Sequence, residues 1–245
     1  FRDRCLRIQL HFCHESPAEN ERAQARWRSL LRPYYDELDI PADKDVTAPN
    51  RRPFDEDACE VVEAFRPEVV SFHFGLPQPR LLERVKATGA VILSSATTVR
   101  EARWLEARGC DVIIAQGAEA GGHRGMFLTD TIAEQPGTFA LVPQVVDAVS
   151  VPVVAAGGIA DGRTIAAAFA LGAAGVQIGT AYLLSEESTI GPAHRAALLE
   201  GRDDGTALTN LFSGRPARGI VNRLMSELGP IHPDAPPFPT AGGAL

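Results

Sequence analysis

From about residue 69 to residue 180, apolar and polar positions repeat one grammar: a short β-branched run, a glycine-rich or polar loop, then an alanine-rich stretch with apolar residues at helical spacing. Val69–Phe74 leads to Pro79–Thr88, Val91–Ser95 to Val99–Arg108, Val112–Gln116 to Pro143–Val149 and Val153–Ala156 to Asp161–Leu171, and Gly175–Gly179 follows. Short continuous apolar runs predict strands buried on both faces, as in a parallel sheet covered by helices. Their spacing, about 20 to 40 residues, leaves room for the crossovers that parallel strands need. Leu6–Phe12 and Leu208–Phe212 raise the count to about seven strands. The expected class is therefore α/β, a (β/α)8 TIM barrel that counts one strand short. Barrels of this size form one domain, so residues 1–245 read as a single unit with a polar insertion at about 14–57.

Within that insertion Ala23, Trp27, Leu30, Leu31 and Tyr34 recur at helical spacing and predict one helix. Asp43–Phe54, which holds Pro49 and Pro53 and has almost no apolar periodicity, predicts an irregular mobile loop. The chain opens at Phe1 without an initiator methionine and ends after a proline-rich stretch, Pro233–Pro239, that reads as a linker. Both features lead us to expect further sequence at the two ends.

Composition narrows the function. The formal net charge of −7 and the absence of a clustered basic face argue against a nucleic-acid partner. No apolar run approaches the roughly 20 residues of a membrane helix, and no signal-peptide pattern opens the chain, so a cytoplasmic protein is expected. Cys5, Cys13, Cys59 and Cys110 lack metal-ligand spacing and read as reduced, mostly buried thiols. No metal site is expected.

Candidate chemistry concentrates after three of the strands. Asp111–Ala115 delivers Gln116-Gly117-Ala118-Glu119-Ala120-Gly121-Gly122-His123-Arg124-Gly125, a glycine-rich loop holding one group that titrates near neutral pH, His123. Val153–Ala156 ends in the double glycine Gly157-Gly158 and starts a helix with Asp161 as N-cap, and Gly175-Val176-Gln177-Ile178-Gly179-Thr180 repeats the device one βα unit later. Adjacent strand-end turns with unobstructed N–H groups suit a phosphate. Neither G-x-G-x-x-G nor G-x-x-x-x-G-K-[ST] occurs, so a mononucleotide fits this pattern better than a dinucleotide or triphosphate. His73 in Ser71-Phe72-His73-Phe74-Gly75 reads equally as core or as pocket wall, and Ser213-Gly214-Arg215 as a loop over an anion or a solvated rim. Ser94, Ser95, Thr97 and Thr98 end another strand, but no Asp–His pair is placed to activate them as a hydrolytic triad.

In order and spacing these motifs resemble those of the nitronate monooxygenases, formerly called 2-nitropropane dioxygenases. The resemblance runs through Ser71–Gly75, Gln116–Gly125, Ala155–Arg163, Gln177–Thr180 and Ser213–Asn222. It implies a β/α barrel that holds FMN without covalent attachment. By the same resemblance Gln116 and Gly121 contact the flavin, and Gly158, Gln177, Ile178, Gly179 and Thr180 hold its ring edge, ribityl chain or phosphate; Gly122 and Gly157, in the same glycine turns, are expected to bind the cofactor with them. Gln9 stands one position from where the family has a flavin-facing asparagine. His123 falls on the catalytic histidine, with His73 and Ser213 in the substrate pocket.

The implied reaction converts an alkyl nitronate, or a nitroalkane, with O2 into a carbonyl compound and nitrite. The family's first strand and its C-terminal helical region are missing from the sequence as given. Two alternatives stand beside this reading: an NAD(P)H-dependent flavin reductase of quinones or enoyl thioesters, and a flavin-free binding barrel. Alanine-rich outer helices permit a homodimer.

Overall fold

The computed structural model describes residues 7–11, 21–41 and 53–245. In chain order the elements are β1 (Arg7–His11), α1 (Glu21–Glu37), α2 (Glu56–Phe65), β2 (Val69–His73), α3 (Pro79–Ala87), β3 (Val91–Ala96), α4 (Val99–Glu106), β4 (Val112–Gln116) and β5 (Gly122–His123). They continue with α5 (Thr138–Val146), β6 (Val153–Ala156), α6 (Gly162–Ala170), β7 (Gly175–Gln177), α7 (Pro192–Leu199), β8 (Thr206–Thr209), β9 (Ala217–Ile220) and α8 (Arg223–Leu228).

The described residues fall into two compact units, one of residues 7–11 and 53–199, the other of residues 21–41 and 200–245. In the first, six parallel strands pair in the order β1-β2-β3-β4-β6-β7, with Ser71 opposite Leu93, Ser94 opposite Ile113 and Ala156 opposite Gln177. Sequential parallel order with helices in the crossovers is the winding of a (β/α)8 barrel. Val70, Ile92, Ile113 and Ala155 from the strands meet Leu82, Val85, Leu105, Val142 and Val145 from the helices in one apolar core. Because the strands are parallel, the loops after β2, β3, β4, β6 and β7 all leave the same edge of the sheet. That edge carries the candidate residues.

Local signals explain most of the boundaries. Asp55, Thr98 and Asp161 cap α2, α4 and α6 by accepting from backbone N–H groups of the first turn. At α6 the bond is reciprocated, because the Thr164 hydroxyl accepts from the Asp161 N–H at 3.1 Å. The Asp161 carboxyl is held at about 2 by the Thr164 N–H first, with Arg163 adding to the effect.

The second unit places α1 against the chain's last residues. Trp27, Leu31, Leu211, Met225 and Ala244 form its core, and the Trp27 indole N–H donates to the carbonyl of Ala241 at 3.2 Å. Strands β8 and β9 form an antiparallel hairpin here, with Leu208 opposite Arg218.

Several expectations change. Leu208–Phe212 does not add a barrel strand; its first residues belong to that hairpin, because Ser213-Gly214 allows the chain to turn back on itself, with Gly214 at φ +84. Pro233–Pro239 is not a free linker: Phe238 is buried, and the next turn, Thr240–Ala244, packs on α1. The helix expected from Pro143 starts at Thr138 and contains Pro143, and the carbonyl left without a proline N–H belongs to exposed Phe139. Helix α2 was not expected at all. The helix predicted around Trp27 forms, whereas Asp43–Arg52 and the thiols of Cys5 and Cys13 lie outside the described residues.

Cys59 and Cys110 are buried free thiols, and burial pushes Cys110 up to about 12. A raised folded-state value means the thiol stabilises the fold below its unfolded value, roughly 8.5, and that contribution is lost as pH rises toward about 12. We expect iodoacetamide labelling resolved by peptide mass to leave Cys110 unmodified in folded protein at pH 8. The urea midpoint should fall between pH 8 and pH 11, and fall less in Cys110→Ala; equal losses in both would remove the thiol as a cause.

Candidate active site

The loop after β4 is built on its last residue. The Gln116 side-chain amide donates to the carbonyl of His123 at 2.9 Å and accepts from the N–H of Gly125 at 2.7 Å. One side chain thus spans the glycine-rich turn as a strand partner would. Arg124, fully buried, donates to the carbonyls of Gln116 and Gly117 and to Gln135 Oε1. A buried guanidinium is tolerable only when its donors are met, and here they lock the start of the loop to its end.

Two carboxylates tie the same loop to its neighbours. Glu101, 0% exposed, accepts from the N–H and hydroxyl of Thr97 (both 2.7 Å) and from the N–H groups of Phe127 (2.6 Å) and Leu128 (3.0 Å). Glu119 accepts from the Thr138 N–H at 2.8 Å and from its hydroxyl at 2.9 Å. Helix α5 has Gly137 as its N-cap, without a side chain to offer, so Glu119 supplies the acceptor and a negative charge at the helix N-terminus.

His123 is half-buried, and its ring stands edge-on to that of Phe74 at a centroid distance of 6.0 Å. His73 is buried, with Nδ1 3.1 Å from Ser95 Oγ and Nε2 3.3 Å from the His123 carbonyl oxygen. At Gly125 an added Cβ would lie 2.9 Å from His73 Cε1 and 2.9 Å from Ser95 Cβ, so glycine is required by close packing. Gln116, His73 and His123 are therefore brought together.

The remaining glycines gather beside them. A Cβ on Gly121 would fall 2.5 Å from Thr180 Oγ1, and one on Gly157 would fall 2.9 Å from the Ala120 nitrogen. Gly158 lies against Glu119, with φ +66, and at Gly179 a Cβ would meet nothing within 4 Å. Gly122, Gly158, Gly179 and Thr180 are exposed, and Gln177 is half-buried, as is Ile178, which packs against the core. The N–H groups of Gly158, Gly179 and Thr180 have no acceptor among the described residues. Exposed strand-end N–H groups without a backbone acceptor suit a phosphorylated cofactor, the kind of group the sequence leads us to expect.

Ser213 lies in the second unit, its hydroxyl 3.2 Å from the Arg215 carbonyl. Gln9 pairs with Ser71 in the sheet register, but its side chain lies outside the described residues. Glu101, Arg124, Thr138 and Ser95 were missed. Thr98-Val99-Arg100-Glu101 has the spacing of a capping box, yet the carboxylate reaches past Thr98 to Thr97 and the post-His123 backbone, which spacing alone does not reveal. Among the described residues no group of three His, Cys, Asp or Glu side chains converges as for a metal ion, and no helix is long and apolar enough to cross a membrane.

The fold and site define a β/α-barrel protein with an imidazole beside an open backbone face at the strand ends. The chain belongs to the nitronate monooxygenase family, whose model matches residues 8–242. It is 45% identical over 184 residues to a probable nitronate monooxygenase of Staphylococcus haemolyticus, covering 74% of this chain and 52% of that protein. The corresponding protein of Bacillus subtilis is 44% identical over 180 residues, with the same coverage, 74% and 52%. The chain thus spans about half the length of the curated relatives it matches. Among solved structures, nitroalkane oxidase from Streptomyces ansochromogenes superposes with a TM-score of 0.82 at 36% identity over 97% of this chain and 67% of its own. FabK from Thermotoga maritima gives 0.61 at 33% identity over 82% and 62%.

Glu101→Gln replaces one acceptor oxygen with an NH2 group facing backbone donors. We expect a loss of about 2 to 4 kcal/mol in urea unfolding. A loss below 1 kcal/mol would show that the four hydrogen bonds contribute little.

Proposed function

We propose that the chain binds FMN non-covalently at the strand-end face and oxidises alkyl nitronates, or nitroalkanes, with O2 to carbonyl compounds and nitrite. The observation that carries this reading is the placement of half-buried His123 on a pinned loop whose neighbouring glycines leave backbone donors open. Membership of the nitronate monooxygenase family and the likeness to a nitroalkane oxidase support it.

In this reading the N–H groups of Gly158, Gly179 and Thr180 would hold the phosphate, and Gly121, Gly122 and Gly157 would let the backbone approach the remainder. Gln177 and Ile178 line the same edge. Gln116 acts by fixing the loop, since its amide is engaged with His123 and Gly125. The bound flavin would supply electron transfer between substrate and oxygen. His123 would take the Cα proton of a neutral nitroalkane, or orient an anionic nitronate through a hydrogen bond. An imidazole needs little tuning to act as a base near neutral pH.

His123→Ala should retain flavin yet lose about 10²- to 10⁴-fold in kcat/KM for a neutral nitroalkane, assayed as nitrite release. Unchanged turnover would remove His123 as the base. Gly158→Val should abolish flavin binding, because a branched side chain at φ +66 is strained and stands before the donors. A visible spectrum showing full flavin occupancy in that variant would make the double glycine a turn only. Flavin bleached by NADH and indifferent to nitronate would transfer the protein to the reductases.

A further inference from the structure

His73 and Phe74 are consecutive, and in a regular strand consecutive side chains point to opposite faces. Here both meet His123. His73 Nε2 lies 3.3 Å from the His123 carbonyl oxygen, the Phe74 ring is edge-on to the His123 imidazole at 6.0 Å, and the His73 and Phe74 rings are themselves 4.5 Å apart. The alternation is broken by the backbone of Phe74, at φ +68, followed by Gly75 at φ +97.

A bulky residue in the left-handed region is strained, and such strain persists only where its surroundings over-determine it. The surroundings are present. Phe74 is 2% exposed, and the Gly75 carbonyl accepts from the buried Ser94 hydroxyl at 2.9 Å, which fastens the turn to β3. A carbonyl only accepts, so His73 Nε2–H donates to the His123 carbonyl, while Nδ1 is within hydrogen-bond distance of the Ser95 hydroxyl.

We propose that His73 and Phe74 together are the positioning residues for the His123 imidazole, His73 fixing its backbone through the carbonyl and Phe74 fixing its ring. The strained turn at Phe74 is what brings both to one side. This assignment places His73 behind the base rather than against substrate, and it rests on the reading of His123 as the base.

The test uses the full chain carrying Phe74→Leu, Phe74→Tyr, His73→Leu or His73→Gln. The first readout is the ¹³C–¹H correlation of the His123 ring in histidine-labelled protein, assigned by its loss in His123→Gln, with cross-relaxation to the Phe74 ring. The native protein and Phe74→Tyr should give one sharp ring signal with contacts to the residue-74 ring. Phe74→Leu and His73→Leu should broaden or split it, and His73→Gln, whose amide can donate to the same carbonyl, should preserve it.

The second readout is turnover of a neutral nitroalkane. The leucine variants should lose about 10- to 100-fold in kcat with KM changed less than about threefold, and His73→Gln should recover most of the loss. A single sharp, unshifted signal in both leucine variants, or equal losses in His73→Leu and His73→Gln, would overturn the proposal. If the native protein turns over neither nitroalkane nor nitronate, the reaction fails instead, and the ring signals alone decide the positioning.

Discussion

The hydrogen bonds of the Gln116 amide hold the site. A loop containing Gly117, Gly121, Gly122 and Gly125 is expensive to order, since glycine loses more backbone freedom on folding than any other residue. Gln116 offsets this from a favourable position, the last residue of a strand whose final four residues are buried. The rigidity of β4 is passed through one side chain to His123 and Gly125. Arg124, Glu101 and Glu119 then fasten the two ends of the loop to β4, α4 and α5.

This arrangement separates two uses of polarity. Glu101 and Arg124 are buried with hydrogen bonds to their charged groups, so removing a partner leaves an uncompensated group in a poorly solvating interior. By contrast, backbone donors at Gly158, Gly179 and Thr180 stand open. Donors held in place before a ligand arrives need no reorganisation when it does.

Much of the first unit was legible because its cause is local. The runs Val112–Gln116 and Val153–Ala156 are strands because they are apolar on both faces and short, and Asp161 caps α6 through bonds to residues two and three positions away. The glycine motifs were legible as turns for the same reason. What escaped depends on distant partners. Nothing near Gly137 announces that Glu119 will cap its helix, and nothing near Glu101 announces Phe127 and Leu128. The run Leu208–Phe212 was counted as a barrel strand, but the partner of its first residues is the hairpin strand Ala217–Ile220, a choice made by the turn between them. Phe74 looked like an ordinary strand end; only its φ of +68 shows that the chain turns inside the motif.

The discontinuous second unit has a consequence for how the chain is made. Trp27 and its acceptor, the Ala241 carbonyl, are separated by 214 residues, with β2 through β7 encoded between them. At synthesis rates of about 5 to 20 residues per second, the apolar stripe of α1 emerges roughly ten to forty seconds before the segment that buries it. Ala23, Trp27 and Leu31 therefore stay uncovered while β2 through β7 are produced, and the sheet strands can pair while α1 is still waiting. The first of the described helices to be synthesised is thus one whose covering residues are made last.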